Sequence, residues 1–381
     1  MYPNPAETGL GVFVRTRIHH MAKLAEVRVF APVALVDRHR RGGRIPGRRA
    51  DGGIAVEHPR WLYPPGLAGM NPLWLAMAVA PGVKRLAREW PFEIVDAEYG
   101  FPDGVAAAIL GRWLGKPYSV TLRGSEVLHA GSAIRRRWLQ WALRGAACVI
   151  AVSERLRQFA LGLGAPAAMT RTIPNGVDST VFHARDKATC RRALGVPESV
   201  PVVLSAGHLI ELKGHHRVVA ALRRLREGGL DARLVIAGGA GKRLSYEAEI
   251  RSAVAAGGLE EHVKFTGHLE PARLAEWMAA SDVFCLASER EGWPNVVNEA
   301  LACGTPVVAA NVGAVPELLP SETYGRIVPP GDADALADGL HWALTRSWDR
   351  RAILDHGQSR DWNRTADEVV ALFREALEGR A

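Results

Sequence analysis

In the stretch EGWPNVVNEALACGTPVVA, Glu291 to Ala309, two carboxylates stand eight positions apart, on either side of a Trp-Pro-Asn turn. Pro294 suits the first turn of a helix, so Asn295, Val296 and Val297 are expected to present backbone N–H groups to whatever lies in front of it. Such a turn is an anion site. Trp293 and Pro294 frame it, Glu291 falls in the loop facing a ligand, and Glu299 falls about one turn inside the helix. Acids placed beside a phosphate-type site suit hydroxyl groups, as in sugars. Alternatively, Glu291 complements the positive helix end and Glu299 is a helix-face acid.

The elements that must position these groups are legible as short β-rich runs alternating with helical stretches. EVRVFAPV, EIVDAEY, PYSVTLRG and ACVIAVS read as strands of a parallel sheet, separated by helices with caps at one end and glycine at the other. The rhythm pauses over residues 173–200, the best linker candidate. It restarts with VPVVLSAG, KGHHRVVAALRRLREGG, ARLVIAGG and DVFCLAS. Two doubly wound domains in series are expected, which also suits 381 residues.

One end departs from this rhythm. The turn YPNPAETGLG leads directly into the helix GVFVRTRIHHMAKLAE, so the first strand of the first domain is expected to be missing. A run of about six apolar residues encoded in frame upstream would supply it, since losing a central strand leaves its neighbours' ladders unpaired.

Composition excludes several classes. The chain is 48% hydrophobic and 23% charged, with no low-complexity tract. Its four cysteines are scattered, with no CxxC pair, and read as reduced core thiols. No apolar run reaches the roughly 18–20 residues of a membrane span, and the N-terminus is no signal peptide. A cytoplasmic location follows as the expectation. Residues 1–175 carry a net charge of +12 and the remainder −4, so the first half is suited to an anionic partner. The chain carries no nucleic-acid recognition motif, and no nucleic-acid partner is expected.

The stretch from Glu291 through Gly304, with GAVPELL after it, closely resembles the Glu-x7-Glu signature of retaining glycosyltransferase family 4. GHLIELKG (Gly207 to Gly214) resembles that family's diphosphate clamp, IPNGVD (Ile173 to Asp178) its interdomain signature, and IVPPGDADALADGL its strand-loop-helix beyond the active site. The resemblance implies an α/β GT-B fold of two facing Rossmann-like doubly wound parallel-sheet domains. They would be an acceptor-side domain over residues 1–180 and a donor domain over 181–360, with a terminal helix, 361–381, crossing back onto the first.

It further implies that Glu291 binds the transferred sugar and Glu299 the ribose. The amides of Asn295, Val296 and Val297, helped by Lys213, would hold the diphosphate of a UDP-, GDP- or ADP-sugar. Gly207 and His208 belong to the clamp, where many relatives have arginine in place of His208. Arg123 stands where many relatives have histidine. It could face an anionic acceptor, the donor phosphate or a sugar carboxylate, or it could pair structurally with Glu126. Gly9 and Gly11 resemble the glycine loop below donor and acceptor.

The implied reaction is metal-independent sugar transfer, with no cofactor, to a glycan or lipid-linked acceptor in surface polysaccharide or glycolipid synthesis. Asp332 and Asp334 are expected to cap a helix rather than bind a metal. The run Arg135 to Arg137 beside Trp138 and Trp141, together with the loop Asp37 to Arg49, suggests peripheral docking on an anionic inner membrane face. A GT-B sugar-nucleotide epimerase and a catalytically idle nucleotide-sugar-binding paralogue are the alternatives.

Overall fold

The computed structural model describes residues 2–35, 45–62, 64, 66–240 and 245–379. The chain divides into two compact units, one formed by residues 1–176 with 362–381 and the other by residues 177–361. Residues 173–200, read as a linker, hold this boundary but also a complete helix, Lys187–Leu194, capped where Asp186 accepts the amide of Thr189.

The first unit contains α1 (Val12–Met21), β1 (Arg28–Phe30), β2 (Val33–Ala34), β3 (Arg48–Asp51), β4 (Ile54–Glu57), β5 (Arg60–Trp61), α2 (Asn71–Glu89), β6 (Val95–Glu98), α3 (Val105–Leu114), β7 (Tyr118–Leu122), α4 (Glu126–His129), α5 (Ala133–Gly145), β8 (Cys148–Ala151), α6 (Glu154–Gly162) and β9 (Thr170–Thr172). β6, β7, β8 and β9 form a parallel sheet in that order. β7 and β8 are buried at every residue, as strands covered on both faces must be. The terminal helix, Trp362–Glu378, packs Val369, Val370 and Phe373 against Met21, Cys148 and Ile150 of this unit.

The sheet of the first unit is divided. β1, β4 and β3 form a second sheet that ends on β1, while the larger sheet ends on β6. Between these two terminal strands the unit holds a cavity of about 850 Å³, lined by both. Its lining is mixed, with Val14, Leu75 and Val79 beside Asp96, Glu98 and Asp103.

The second unit contains α7 (Lys187–Leu194), β10 (Val202–Ala206), α8 (His215–Glu227), β11 (Arg233–Ala237), α9 (Glu247–Ala256), β12 (Val263–Gly267), α10 (Pro271–Ala280), β13 (Val283–Leu286), α11 (Asn295–Ala302), β14 (Val307–Ala310), α12 (Val315–Leu318), β15 (Gly325–Val328), α13 (Ala333–Leu344) and α14 (Arg350–Gly357). Its six parallel strands run in the order β12-β11-β10-β13-β14-β15. Successive connections go one way from β10 and the other way from β13, so the topological switch point lies between those two strands. In open α/β sheets ligands bind at the carboxyl ends of strands at such a point.

Candidate functional site

Two loops leave the carboxyl ends of β10 and β13, and the backbone locks them together. Gly214 has a φ of 67°, and a Cβ there would stand 2.1 Å from the carbonyl oxygen of Ala287. Only glycine lets the first loop lie this close to the second. The amide of Glu289 then donates to Leu212 O at 3.0 Å. From the other side, Gly313 packs against the carbonyls of Glu291 and Gly292, and the Ala314 amide donates to Gly292 O at 3.0 Å.

Held in this way, Glu291 meets Lys213. Lys213 Nζ donates to Glu291 Oε1 at 2.6 Å, and Ser288 Oγ donates to the same oxygen at 2.8 Å. Immediately after them Pro294 caps α11, whose first turn comprises Asn295, Val296 and Val297. The turn differs from expectation in one respect. The amide of Val297 donates to Pro294 O at 2.9 Å, so it is committed within the turn, and Val297 itself is fully buried. Trp293 packs partly buried against the core, with its Nε1 buried and without a hydrogen bond among the described residues.

Glu299 lies on α11, and its carboxyl makes no hydrogen bond or ion pair among the described residues. Desolvation alone pushes its carboxyl up to about 7. His208 is exposed on the loop that Gly207 opens, where the Gly207 amide donates to Ala237 O at 2.9 Å. Sequence reasoning missed His215, the first residue of α8. Its ring is 1% exposed, its Nδ1 lies 3.0 Å from Ser205 Oγ, and it borders the backbone of Gly207 and His208. Burial pushes it down to about 4, so it is a neutral prop under the loop. A histidine opening a helix straight after a lysine-glycine pair was the available signal.

In the first unit, Gly11 takes a φ of 66° at the start of α1, while Gly9 has open space around its Cβ position. Arg123 follows β7, and its partner is not Glu126. Arg123 Nε and Nη2 donate to the two oxygens of Glu98 at 2.8 and 3.0 Å, Nη1 donates to Asn175 Oδ1 at 2.6 Å, and the guanidinium stacks over Phe13. Glu126 instead accepts the amides of Gly100, Arg123 and Gly124.

Arg17, 2% exposed, completes this knot by donating to Glu98 at 3.0 Å, Thr121 at 2.8 Å and Asp96 at 3.2 Å. Burial would raise Glu98, but Arg123 and Arg17 outweigh it and hold the carboxyl below its usual range. For Asp96 burial wins and the carboxyl is raised. The sequence signal was two acids inside the buried strand EIVDAEY.

Asp332 accepts the amides of Asp334 and Ala335 at 3.0 and 2.9 Å and so caps α13. Trp138 and Trp141 form an edge-to-face pair, each partly buried against the core of the first unit. Part of the basic loop, residues 37–44, lies outside the described residues; Arg48 and Arg49 lie on β3. Among the described residues no helix is long and apolar enough to cross a membrane.

Two parallel-sheet units, with a lysine-glutamate pair at the switch point of the second, define the architecture of a GT-B glycosyltransferase. Residues 8–181 match glycosyltransferase family 4, and residues 186–360 match the glycosyl transferases group 1 family. The chain belongs to glycosyltransferase family 4.

It is 31% identical over 290 residues to the 2-deoxystreptamine glucosyltransferase of Streptomyces kanamyceticus, covering 71% of this chain and 73% of that one. It is 36% identical over 224 residues to the D-inositol 3-phosphate glycosyltransferase of Saccharomonospora viridis, covering 56% of this chain and 51% of that one. The chain thus spans about half the length of its D-inositol 3-phosphate glycosyltransferase relative. Among solved structures it resembles HepE of Anabaena in complex with UDP, with a TM-score of 0.76, 23% identity and 96% of each chain covered. That likeness concerns the fold.

Proposed function

We propose that the protein transfers a sugar from a nucleotide-diphosphate sugar to a hydroxyl of a glycan or lipid-linked acceptor, with retention of configuration and without a metal. The observation that carries this reading is the Lys213–Glu291 pair beside the first turn of α11 at the β10/β13 switch point. An ammonium and a helix N-terminus are what a departing diphosphate needs, because negative charge develops there as the bond breaks. The UDP held by the HepE structure fits the same reading.

In this scheme Lys213 and the amides of Asn295 and Val296 take the diphosphate, Glu291 takes hydroxyls of the sugar, and Glu299 takes the ribose. Gly207 and His208 close over the donor from the clamp loop, with Trp293 and Pro294 as the wall of the turn. The acceptor oxygen bonds to the anomeric carbon as the bond to the diphosphate oxygen breaks, and that oxygen receives the acceptor proton. No protein nucleophile is required. Arg123, committed to Glu98 and Asn175, serves as a positioning residue on the acceptor side, and Gly9 and Gly11 allow close backbone approach there.

The basic first half suits a peripheral position on an anionic membrane surface. Exposed Leu67, Val127, Leu128 and Ile134 together with the exposed Arg136 and Arg137 support this more than the tryptophans do. Liposome sedimentation with and without anionic lipid tests it, and equal binding to both sinks it.

The reaction itself is tested with UDP-, GDP- and ADP-sugars by measuring nucleoside diphosphate release in the presence of acceptor and EDTA, with the product anomer read by NMR. A donor returned epimerised and unhydrolysed would mark an epimerase. Donor binding with no turnover would mark an idle paralogue.

A further inference from the structure

Beneath the loop that carries Lys213 the second unit buries a polar pair. Ser205 lies on β10, a strand buried at every residue, and its Oγ stands 3.0 Å from Nδ1 of His215, the first residue of α8. A hydroxyl and an imidazole cost free energy to bury, whereas an apolar pair of the same size would fill the place without that cost. Nε2 of the same ring is also buried and has no hydrogen-bond partner among the described residues. A buried polar group left in this state calls for a role beyond packing.

The surroundings of the ring supply that role. It borders the backbone of Gly207 and His208, and the Lys213 charge acts on it. Gly207 is also held by β11 and the residue after it: its amide donates to Ala237 O at 2.9 Å, and its carbonyl oxygen lies so close to Gly238 that a Cβ there would stand 1.8 Å away. Against Gly207 lies the stem of Lys213, whose Cγ and Cδ would each be 3.5 Å from a Cβ built on that glycine. The stem therefore runs along Gly207, and its Nζ ends on Glu291 Oε1 at 2.6 Å. A displaced Gly207 displaces the stem with it.

We propose that His215, held by Ser205, is a positioning residue for the donor diphosphate: it sets the path of Gly207 and, through Gly207, the place of the Lys213 ammonium at the switch point. The inference rests on the glycosyl-transfer reading, in which Lys213 takes the diphosphate, and it adds a buried pair that does not itself touch the ligand.

Binding of UDP, GDP and ADP to the full chain is measured by calorimetry for the native protein, His215→Leu, Lys213→Ala and the double variant. His215→Leu is expected to weaken the best-bound diphosphate by about tenfold when Lys213 is present and by less than about twofold when it is absent, because a positioning residue loses its effect together with the group it positions. Ser205→Ala, taken through the same cycle, is expected to act in the same direction by about threefold, and it decides the outcome if His215→Leu does not fold. Equal affinity in the native chain, His215→Leu and Ser205→Ala overturns the proposal while leaving the donor reading intact. A loss of the same size with and without Lys213 also overturns it, by making the pair a matter of packing alone. A native chain that binds none of the three diphosphates refutes the donor reading, and this inference with it.

Discussion

Lys213 Nζ and Glu291 Oε1 lie 2.6 Å apart, and they come from loops that leave two different strands, β10 and β13. Ser288 shares that oxygen, leaving Oε2 of Glu291 without a hydrogen bond among the described residues. The pair holds a cation at the switch point with its charge compensated. A diphosphate would compete for the ammonium and release the carboxylate to a sugar hydroxyl.

Removing the ammonium should therefore act on turnover. A charge-assisted hydrogen bond is worth roughly 1.5–3 kcal/mol, so Lys213→Ala is expected to lower kcat at least about tenfold. A Lys213→Ala protein that folds normally by circular dichroism and keeps full turnover would refute the role.

The backbone lock beneath that pair gives a second expectation. Gly195 and Gly214 share a φ of 67°, but a Cβ on Gly195 meets open space, whereas one on Gly214 stands 2.1 Å from Ala287 O. Gly195→Ala should cost only the left-handed penalty, about 1–2 kcal/mol. Gly214→Ala adds a backbone collision and should lower the thermal midpoint clearly further. Equal midpoints for the two variants would show that the loop yields freely.

This lock also marks what the sequence could and could not reveal. The alternation of strands and helices, the cap at Asp332 and the glutamate spacing are local properties, so they were legible in order along the chain. The Gly214–Ala287 approach joins positions far apart in sequence, and the same holds for Arg123 with Glu98 and Asn175. A local reading could offer Glu126, three residues on, as one alternative partner of Arg123, but backbone amides hold that carboxylate. The hairpin of β3 and β4 escaped periodicity because its strands are four residues each, and its first strand begins with two arginines.

Buried His215 and half-buried Glu299, both near the switch point, titrate with opposite consequences for stability. His215 is lowered from 6.5 to about 4, so the unfolded chain binds more protons in that window, and stability is lost as pH falls from about 6.5 to 4. Glu299 is raised from 4.5 to about 7, so the folded chain binds more protons, and stability is lost as pH rises from about 4.5 to 7. The two slopes have opposite sign over overlapping pH ranges, so in the native chain they largely cancel. Glu299→Gln should expose the His215 slope. Its urea-unfolding free energy should exceed the native value at pH 8 and match it near pH 4. A constant difference at all pH values would mean that Glu299 does not titrate in this range.

The same raised carboxyl should be visible in donor binding. With its carboxyl near 7, Glu299 is about half protonated at neutral pH before any ligand arrives. A ribose whose hydroxyls donate to it favours the ionised form, because hydrogen bonds to a carboxylate stabilise the charge. Binding should then release about half a proton at pH 7, close to one at pH 6 and almost none at pH 8. Calorimetry in buffers of different ionisation enthalpy measures this directly, with a UDP-, GDP- or ADP-sugar as titrant. Glu299→Gln should weaken the affinity and abolish the proton release together. Proton release that persists in Glu299→Gln would assign the titration to another group and take the ribose contact away from Glu299.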